Sequence, residues 1–139
     1  MKKGMAFWGK GWVFLMGILL LTLSCGSMYQ APYGAKVITP GSTTITSTVD
    51  VTVVFRAIVV DKENNPLNDV DVDFTACCDG AELGDENGGS LGTAATIRTD
   101  GSGVATIYVL VFGDYDGAIT VTADIGVASG NTVITKALP

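Results

Sequence analysis

The chain has 139 residues, with 14 acidic and 8 basic side chains that give a net charge of −6, and it contains no histidine. The acidic balance argues against nucleic acid as a partner, because nucleic-acid binding depends on cationic contacts to phosphate. The missing histidine removes the side chain that acid–base catalysis uses most often, so we expect a protein that is not an enzyme.

The chain begins with a pattern that is typical of an export signal. Its first twelve residues carry Lys2, Lys3 and Lys10 and no acidic residue, and an apolar stretch of eleven residues follows from 13 to 23. A membrane-spanning helix needs roughly 20 apolar residues, so this stretch is too short to cross a bilayer. A basic start, a short apolar body and a small-residue end indicate a secretory signal over residues 1–24.

The signal ends in Leu-Thr-Leu-Ser-Cys-Gly over residues 21–26. This resembles the lipobox of bacterial lipoproteins, although Thr22 stands where that family most often has Leu. The resemblance implies that Cys25 takes a diacylglycerol, that the signal is cleaved just before it, and that the new amino terminus is acylated. It also implies a membrane-anchored place in the cell envelope, at the outer membrane if the organism has one. The alternative is a plain signal peptide with an incidental cysteine.

Residues 25–35 have no strong period and are predicted to be a tether between the lipid and the domain. Without residues 1–24 the chain keeps 5 basic and 14 acidic residues, a net charge of −9. The remaining length is enough for one domain with its own hydrophobic core.

From residue 36 onward, short runs alternate between apolar and polar residues, which is the period of half-buried β-strands. Val70, Val72 and Phe74 share one face of such a run, whereas residues 103–112 are apolar on both faces and predict a central strand. Turns rich in Gly, Asn, Asp and Pro separate the runs. About seven short strands predict an all-β fold, an antiparallel Ig-like β-sandwich over residues 36–139. The other candidate strands are 36–39, 43–48, 49–61, 93–99, 118–125 and 131–137.

Four motifs follow one another in this region: "VVDKENNPLNDVDVDFTA" at 59–76, "GGSLG" at 88–92, "TIRTDGSGVATIYV" at 96–109 and "GAITVTADI" at 117–125. Together they resemble the bacterial immunoglobulin-like domain of group 1, the invasin and intimin type, over roughly residues 37–137. Members of that family build rod-like arrays on bacterial surfaces, and some bind host receptors. The resemblance implies a non-catalytic structural or adhesion-type interaction module, with no cofactor and with an unknown protein or surface as its partner.

Cys77 and Cys78 are adjacent and follow the strand predicted to end near residue 76. Export favours the oxidation of thiols, and neighbouring residues of a strand point to opposite faces. The alternatives are a disulfide between the two, a redox switch, a bridge to a partner chain, and two small residues that stay reduced. A thiol oxidoreductase is the least expected, because the usual C-x-x-C spacing is missing.

Residues 77–92 are predicted to form a long, glycine-rich loop that projects from one end of the sandwich. The loop does not match the EF-hand pattern, so a solvated acidic loop is favoured over a Ca²⁺ site and no metal site is assigned. It is also the predicted recognition surface, and the alternative function is an envelope protein that binds a polysaccharide, peptide or metal there. Its candidate recognition residues are Asp79, Glu82, Asp85, Glu86 and Asn87.

Overall fold

The computed structural model describes residues 30–139, so the predicted signal and Cys25 lie outside the described residues. The prediction of an all-β sandwich is confirmed, and no helix within residues 30–139 is long and apolar enough to cross a membrane. Every segment predicted as a strand forms one. The strands are β1 Lys36–Ile38, β2 Thr43–Thr46, β3 Val51–Val60, β4 Asp71–Ala76, β5 Ala81–Gly84, β6 Ser90–Gly92, β7 Ala94–Arg98, β8 Val104–Val111, β9 Gly117–Asp124 and β10 Ser129–Ala137.

The strands form two sheets of five. The first sheet has the order β1-β3-β8-β5-β6, and the second has the order β2-β10-β9-β4-β7. Neighbouring strands are antiparallel except β2, which runs parallel to β10. β1 belongs to the first sheet and β2 to the second, so the chain crosses from one sheet to the other between them. The crossing falls at Pro40 and Gly41, where proline cannot donate a hydrogen bond to continue the ladder of β1. This arrangement is that of an Ig-like sandwich.

Alternate residues of the strands build the core between the sheets. Val72 and Phe74 are fully buried while Asp73 is exposed, so the predicted register of β4 is correct. The rings of Phe55 and Phe74 meet edge to face, with centroids 5.8 Å apart, and join the two sheets. β8 lies in the middle of the first sheet, as its two apolar faces predicted.

The prediction of an irregular, projecting loop over residues 77–92 is wrong. β5 pairs with β8 and β6 pairs with β5, so most of this segment is a hairpin at the edge of the first sheet. Ala81 and Leu83 are buried in the core. The acidic turn and the glycines around these two residues leave an apolar alternation too short to identify from the sequence.

The predicted tether also packs on the domain in part. Ala31 and Ala35 are buried, and the Ala35 N–H donates to the Pro32 carbonyl at 3.1 Å. Gly34 between them has a φ of 85°, which suits glycine. The packed domain therefore begins near residue 31 rather than at residue 36.

The register places the two ends of the described chain at opposite ends of the sandwich. β1 enters beside the end of β3, where Lys36 pairs with Val60. The end of β10 lies beside the start of β9, where Lys136 pairs with Gly117. The start of β9 is close in sequence to the end of β8, and Val111 at the end of β8 pairs with Val51 at the start of β3. The chain therefore leaves the sandwich at the end where β3 begins. We name the two ends the proximal and distal poles. The proximal pole holds residues 31–36, 61–70 and 99–103, and the distal pole holds residues 47–50, 77–80, 112–117 and the end of β10.

Candidate functional site

Two of the motifs that carry the family resemblance meet at the proximal pole and have structural roles. Gly103 has a φ of 73°, and a Cβ at this position would lie 2.7 Å from the Val59 carbonyl oxygen and 2.9 Å from Pro66 Cβ. The Val59 N–H donates to the Gly103 carbonyl at 2.8 Å. The Asp100 carboxylate accepts the N–H of Val104 at 3.0 Å and closes the turn. These motifs therefore explain the fold rather than a binding site.

Cys77 and Cys78 lie exposed at the distal pole, directly after β4. The structure joins their Sγ atoms, 2.34 Å apart, and Cys78 has a φ of 74°, which residues other than glycine rarely adopt. The Cys77 N–H donates to the Thr120 carbonyl at 3.0 Å, and the Thr120 N–H donates to Cys77 Sγ at 3.2 Å. A sulfur thus takes the place of the backbone carbonyl that would continue the β4–β9 ladder.

The turn after the cysteine pair packs against the turn between β8 and β9. A Cβ at Gly80 would lie 2.4 Å from the Tyr115 ring, so only glycine allows this contact. The Phe112 N–H donates to the Gly80 carbonyl at 3.0 Å. The Tyr115 hydroxyl donates to the Ala118 carbonyl at 3.3 Å, and Cys78 Sγ lies 3.8 Å from the same oxygen. The cysteine pair and Tyr115 are therefore neighbours on one surface.

The predicted recognition residues do not lie together. Asp79 is exposed at the distal pole, whereas Asp85, Glu86 and Asn87 occupy the turn between β5 and β6. The four residues of β5 lie between them, which corresponds to roughly 13 Å. The single acidic loop expected from the sequence is thus divided into two separate places.

Two of these carboxylates are hydrogen-bonded within the domain. Glu82 accepts the Ser90 hydroxyl at 2.9 Å. Asp85 accepts the backbone N–H groups of Asn87 and Gly89 at 2.9 and 2.7 Å, and so closes the hairpin turn. Across residues 30–139, no group of three or more acidic or cysteine side chains is placed to hold a metal ion.

A buried lysine at the distal pole was missed by the sequence reasoning. Lys136 is 1% exposed, and its Nζ donates to the carbonyls of Ser47 and Gly113, the latter at 3.1 Å. The Asp50 carboxylate accepts the Gly113 N–H at 2.8 Å. Lys136 therefore joins two turns that are distant in sequence. The sequence does indicate that Lys136 is buried, because Lys136 and Ile134 are two residues apart and therefore fall on the same inward face of the final strand.

Several solved structures resemble this domain at low identity. Domains 4 and 5 of the S-layer protein SbsC are 16% identical with a TM-score of 0.47, over 73% of this chain and 44% of that one. The seventh ScaB type I cohesin from Pseudobacteroides cellulosolvens is 14% identical with a TM-score of 0.47, over 78% and 95% of the two chains. A conjugative transposon lipoprotein from Bacteroides eggerthii is 13% identical with a TM-score of 0.48, over 74% and 98%. No protein-family model and no curated protein matches the sequence significantly, and the likeness to these structures concerns the fold alone.

Proposed function

We propose that this protein is a lipid-anchored, non-catalytic module of the cell envelope whose Ig-like domain serves as a structural or protein-interaction unit. The observation that carries the proposal is the placement of the chain ends. The chain enters the domain at the proximal pole, a few residues after Cys25, and the distal pole lies at the other end of the sandwich.

The distance between the anchor and the domain supports this orientation. Ala31 is already buried, so only residues 26–30 separate Cys25 from the packed chain. An extended linker of this length spans at most about 20 Å. A lipid on Cys25 would therefore hold the proximal pole close to the membrane and direct the distal pole, with Cys77 and Cys78, away from it.

The group 1 bacterial Ig-like assignment is part of the proposal and is supported by the roles of its motifs. The turn at residues 61–70 and the turn at 99–103 contact each other through Gly103, Pro66 and Val59. The non-catalytic part is supported by the lack of histidine in the sequence and by the structural hydrogen bonds of Glu82 and Asp85.

Replacing the proposed lipid-bearing residue tests this function. In the variant Cys25→Ala, we expect either a precursor that keeps its signal and is larger than the mature protein, or an unlipidated chain cleaved elsewhere that no longer partitions into the detergent phase, because a stable membrane attachment needs acyl chains. The matched control is Cys77→Ser with Cys78→Ser, which should partition like the parent. A Cys25→Ala variant that keeps the mature size and the detergent partitioning would contradict the anchor.

A further inference from the structure

The bond between Cys77 and Cys78 lies exposed at the distal pole and accompanies an uncommon backbone conformation. Cys78 has a φ of 74°, and within residues 30–139 the other residues with a positive φ, glycine apart, are Asn64 and Asp69. Asparagine and aspartate visit this left-handed region because their short polar side chains can hydrogen-bond locally, whereas cysteine rarely does. Backbone outliers of this kind are concentrated at functional sites, so the conformation points to chemistry at the cysteine pair.

The two sulfurs of the pair have opposite polar neighbours. The Thr120 N–H donates to Cys77 Sγ at 3.2 Å, whereas Cys78 Sγ lies 3.8 Å from the carbonyl oxygen of Ala118. A neutral sulfur is a weak hydrogen-bond acceptor, and a hydrogen bond becomes stronger when its acceptor is ionised. The Thr120 N–H therefore favours a negative charge on Cys77 Sγ, while the carbonyl oxygen disfavours one on Cys78 Sγ.

This difference gives a direction to the reaction of the pair with a thiol. We propose that the cysteine pair is a thiol-exchange site, at which a small neutral or cationic thiol becomes attached to Cys78. The thiolate of the incoming molecule attacks Cys78 Sγ and forms a new sulfur–sulfur bond there. The bond to Cys77 breaks, its electron pair leaves on Cys77 Sγ, and no further oxidant or reductant is consumed. The Thr120 N–H assists because its hydrogen bond strengthens as the charge develops on the leaving sulfur.

The same geometry makes the modification reversible. The freed Cys77 thiolate stays next to Cys78 in the chain, so it can attack Cys78 Sγ, restore the bond between the two cysteines and expel the thiol. The adduct therefore persists only while the thiol is in excess. During that time no covalent bond between the two side chains holds the left-handed backbone of Cys78, and the surface of the distal pole can change with it.

The charges of the distal pole select the kind of thiol. Asp79 follows the pair in the chain, and Asp114 and Asp116 lie in the turn that packs against it; all three are exposed. The basic side chain of this pole within residues 30–139 is Lys136, which is buried with its Nζ on backbone carbonyls. The field at the pair is therefore negative, so it repels an anionic thiol and attracts a cationic one, and added salt weakens both effects.

Mapping the first adduct tests the direction of the exchange. The full chain, purified folded from the cells that express it, is treated briefly with cysteamine, quenched with acid and alkylated, and the peptide with both cysteines is fragmented by mass spectrometry. We expect cysteamine on Cys78 and the alkyl group on Cys77 in about tenfold excess over the opposite arrangement. The control is the same chain unfolded in denaturant, where Thr120 no longer faces Cys77 and the two arrangements should be similarly abundant.

Neutralising the nearby carboxylates tests the selectivity. The probes are cysteamine, which is cationic, and 3-mercaptopropionate, which is anionic, and the quantity measured is the ratio of their exchange rates. Replacing two acids of the distal pole, Asp79→Asn with Asp114→Asn, should lower this ratio about threefold. The matched control replaces two exposed acids of the proximal pole, Glu63→Gln with Asp69→Asn, and should leave the ratio unchanged.

The thiol-exchange site would be overturned by a cysteine pair that reacts only after unfolding, by equal or preferential addition to Cys77, or by a pair recovered as free thiols. A rate ratio that the distal substitutions leave unchanged would overturn the preference for neutral and cationic thiols. The peptide map reports the cysteine pair separately from Cys25, so neither result depends on the proposed anchor.

Discussion

Asp61 shows how a single side chain fixes a turn of this domain. Its carboxylate accepts the backbone N–H groups of Glu63 and Asn65 at 2.9 and 2.8 Å, and the Asn65 side-chain amide at 3.0 Å. These hydrogen bonds favour the charged carboxylate, and the bond from the Asn65 side chain contributes most, so the pKa of Asp61 lies below its ordinary value of 3.8. A lowered pKa in the folded state means that Asp61 stabilises the fold above its unfolded pKa, and that this stabilisation is lost as the pH falls through the lower folded value.

Removing the amide of Asn65 should raise the pKa of Asp61. In Asn65→Ala we expect the pKa to move up toward 3.8, because the largest favourable contact to the charged form is lost. The measurement is a side-chain carboxyl titration by NMR. The control is Asn68→Ala, which alters an exposed residue of the same turn and should leave the titration of Asp61 unchanged. An unchanged pKa in Asn65→Ala would show that the side-chain hydrogen bond is not the cause.

At the scale of the strand, β4 offers a direct test of register. Phe74 is fully buried, so Phe74→Ala should lower the free energy of unfolding by about 3–5 kcal/mol. Asp73 points to solvent, where its carboxylate accepts the Thr96 hydroxyl at 2.5 Å, so Asp73→Ala should cost about 1 kcal/mol or less. Denaturant unfolding of both variants measures the difference. Similar losses for the two would mean that the strand is displaced by one residue.

Strands with a long alternation could be predicted from the sequence, because burial of one face imposes a period of two. β4, β8 and β9 are examples, and the position of β8 in the middle of its sheet followed from its two apolar faces. β5 could not be predicted in the same way. It is only four residues long, and its pairing with β8 depends on contacts between segments that are distant in sequence.

The polar contacts of Lys136 and the separation of the acidic residues in 77–92 were also hard to predict, because both depend on which distant segments the fold brings together. Lys136 occupies an inward position that alternation identifies, yet a lysine is rarely buried without partners. Its partners are the carbonyls of Ser47 and Gly113, which only the folded chain brings together. The acidic residues of 77–92 looked like one loop because sequence proximity does not reveal that β5 separates Asp79 from Asp85.

The whole molecule has a direction and two unlike sides. Its chain enters at the proximal pole near the proposed anchor, and the cysteine pair lies at the distal pole. The outer face of the first sheet carries the exposed side chains of Ile38, Val54 and Ile58 beside Arg56, whereas the outward positions of β4 and β9 in the second sheet are mostly Thr and Asp. A module anchored near its proximal pole can present its distal pole away from the membrane.

The intact mass of the protein extracted from membranes tests the central claim, an exported and lipid-anchored module, most directly. We predict a chain that begins at Cys25 and carries an added acyl-glycerol mass, lowered by the mass of two hydrogens for a bond between Cys77 and Cys78. Reduction should restore those two hydrogens without releasing a second protein. A mass that corresponds to an unmodified chain beginning at Met1, or to a chain cleaved elsewhere with no lipid on Cys25, would contradict the account.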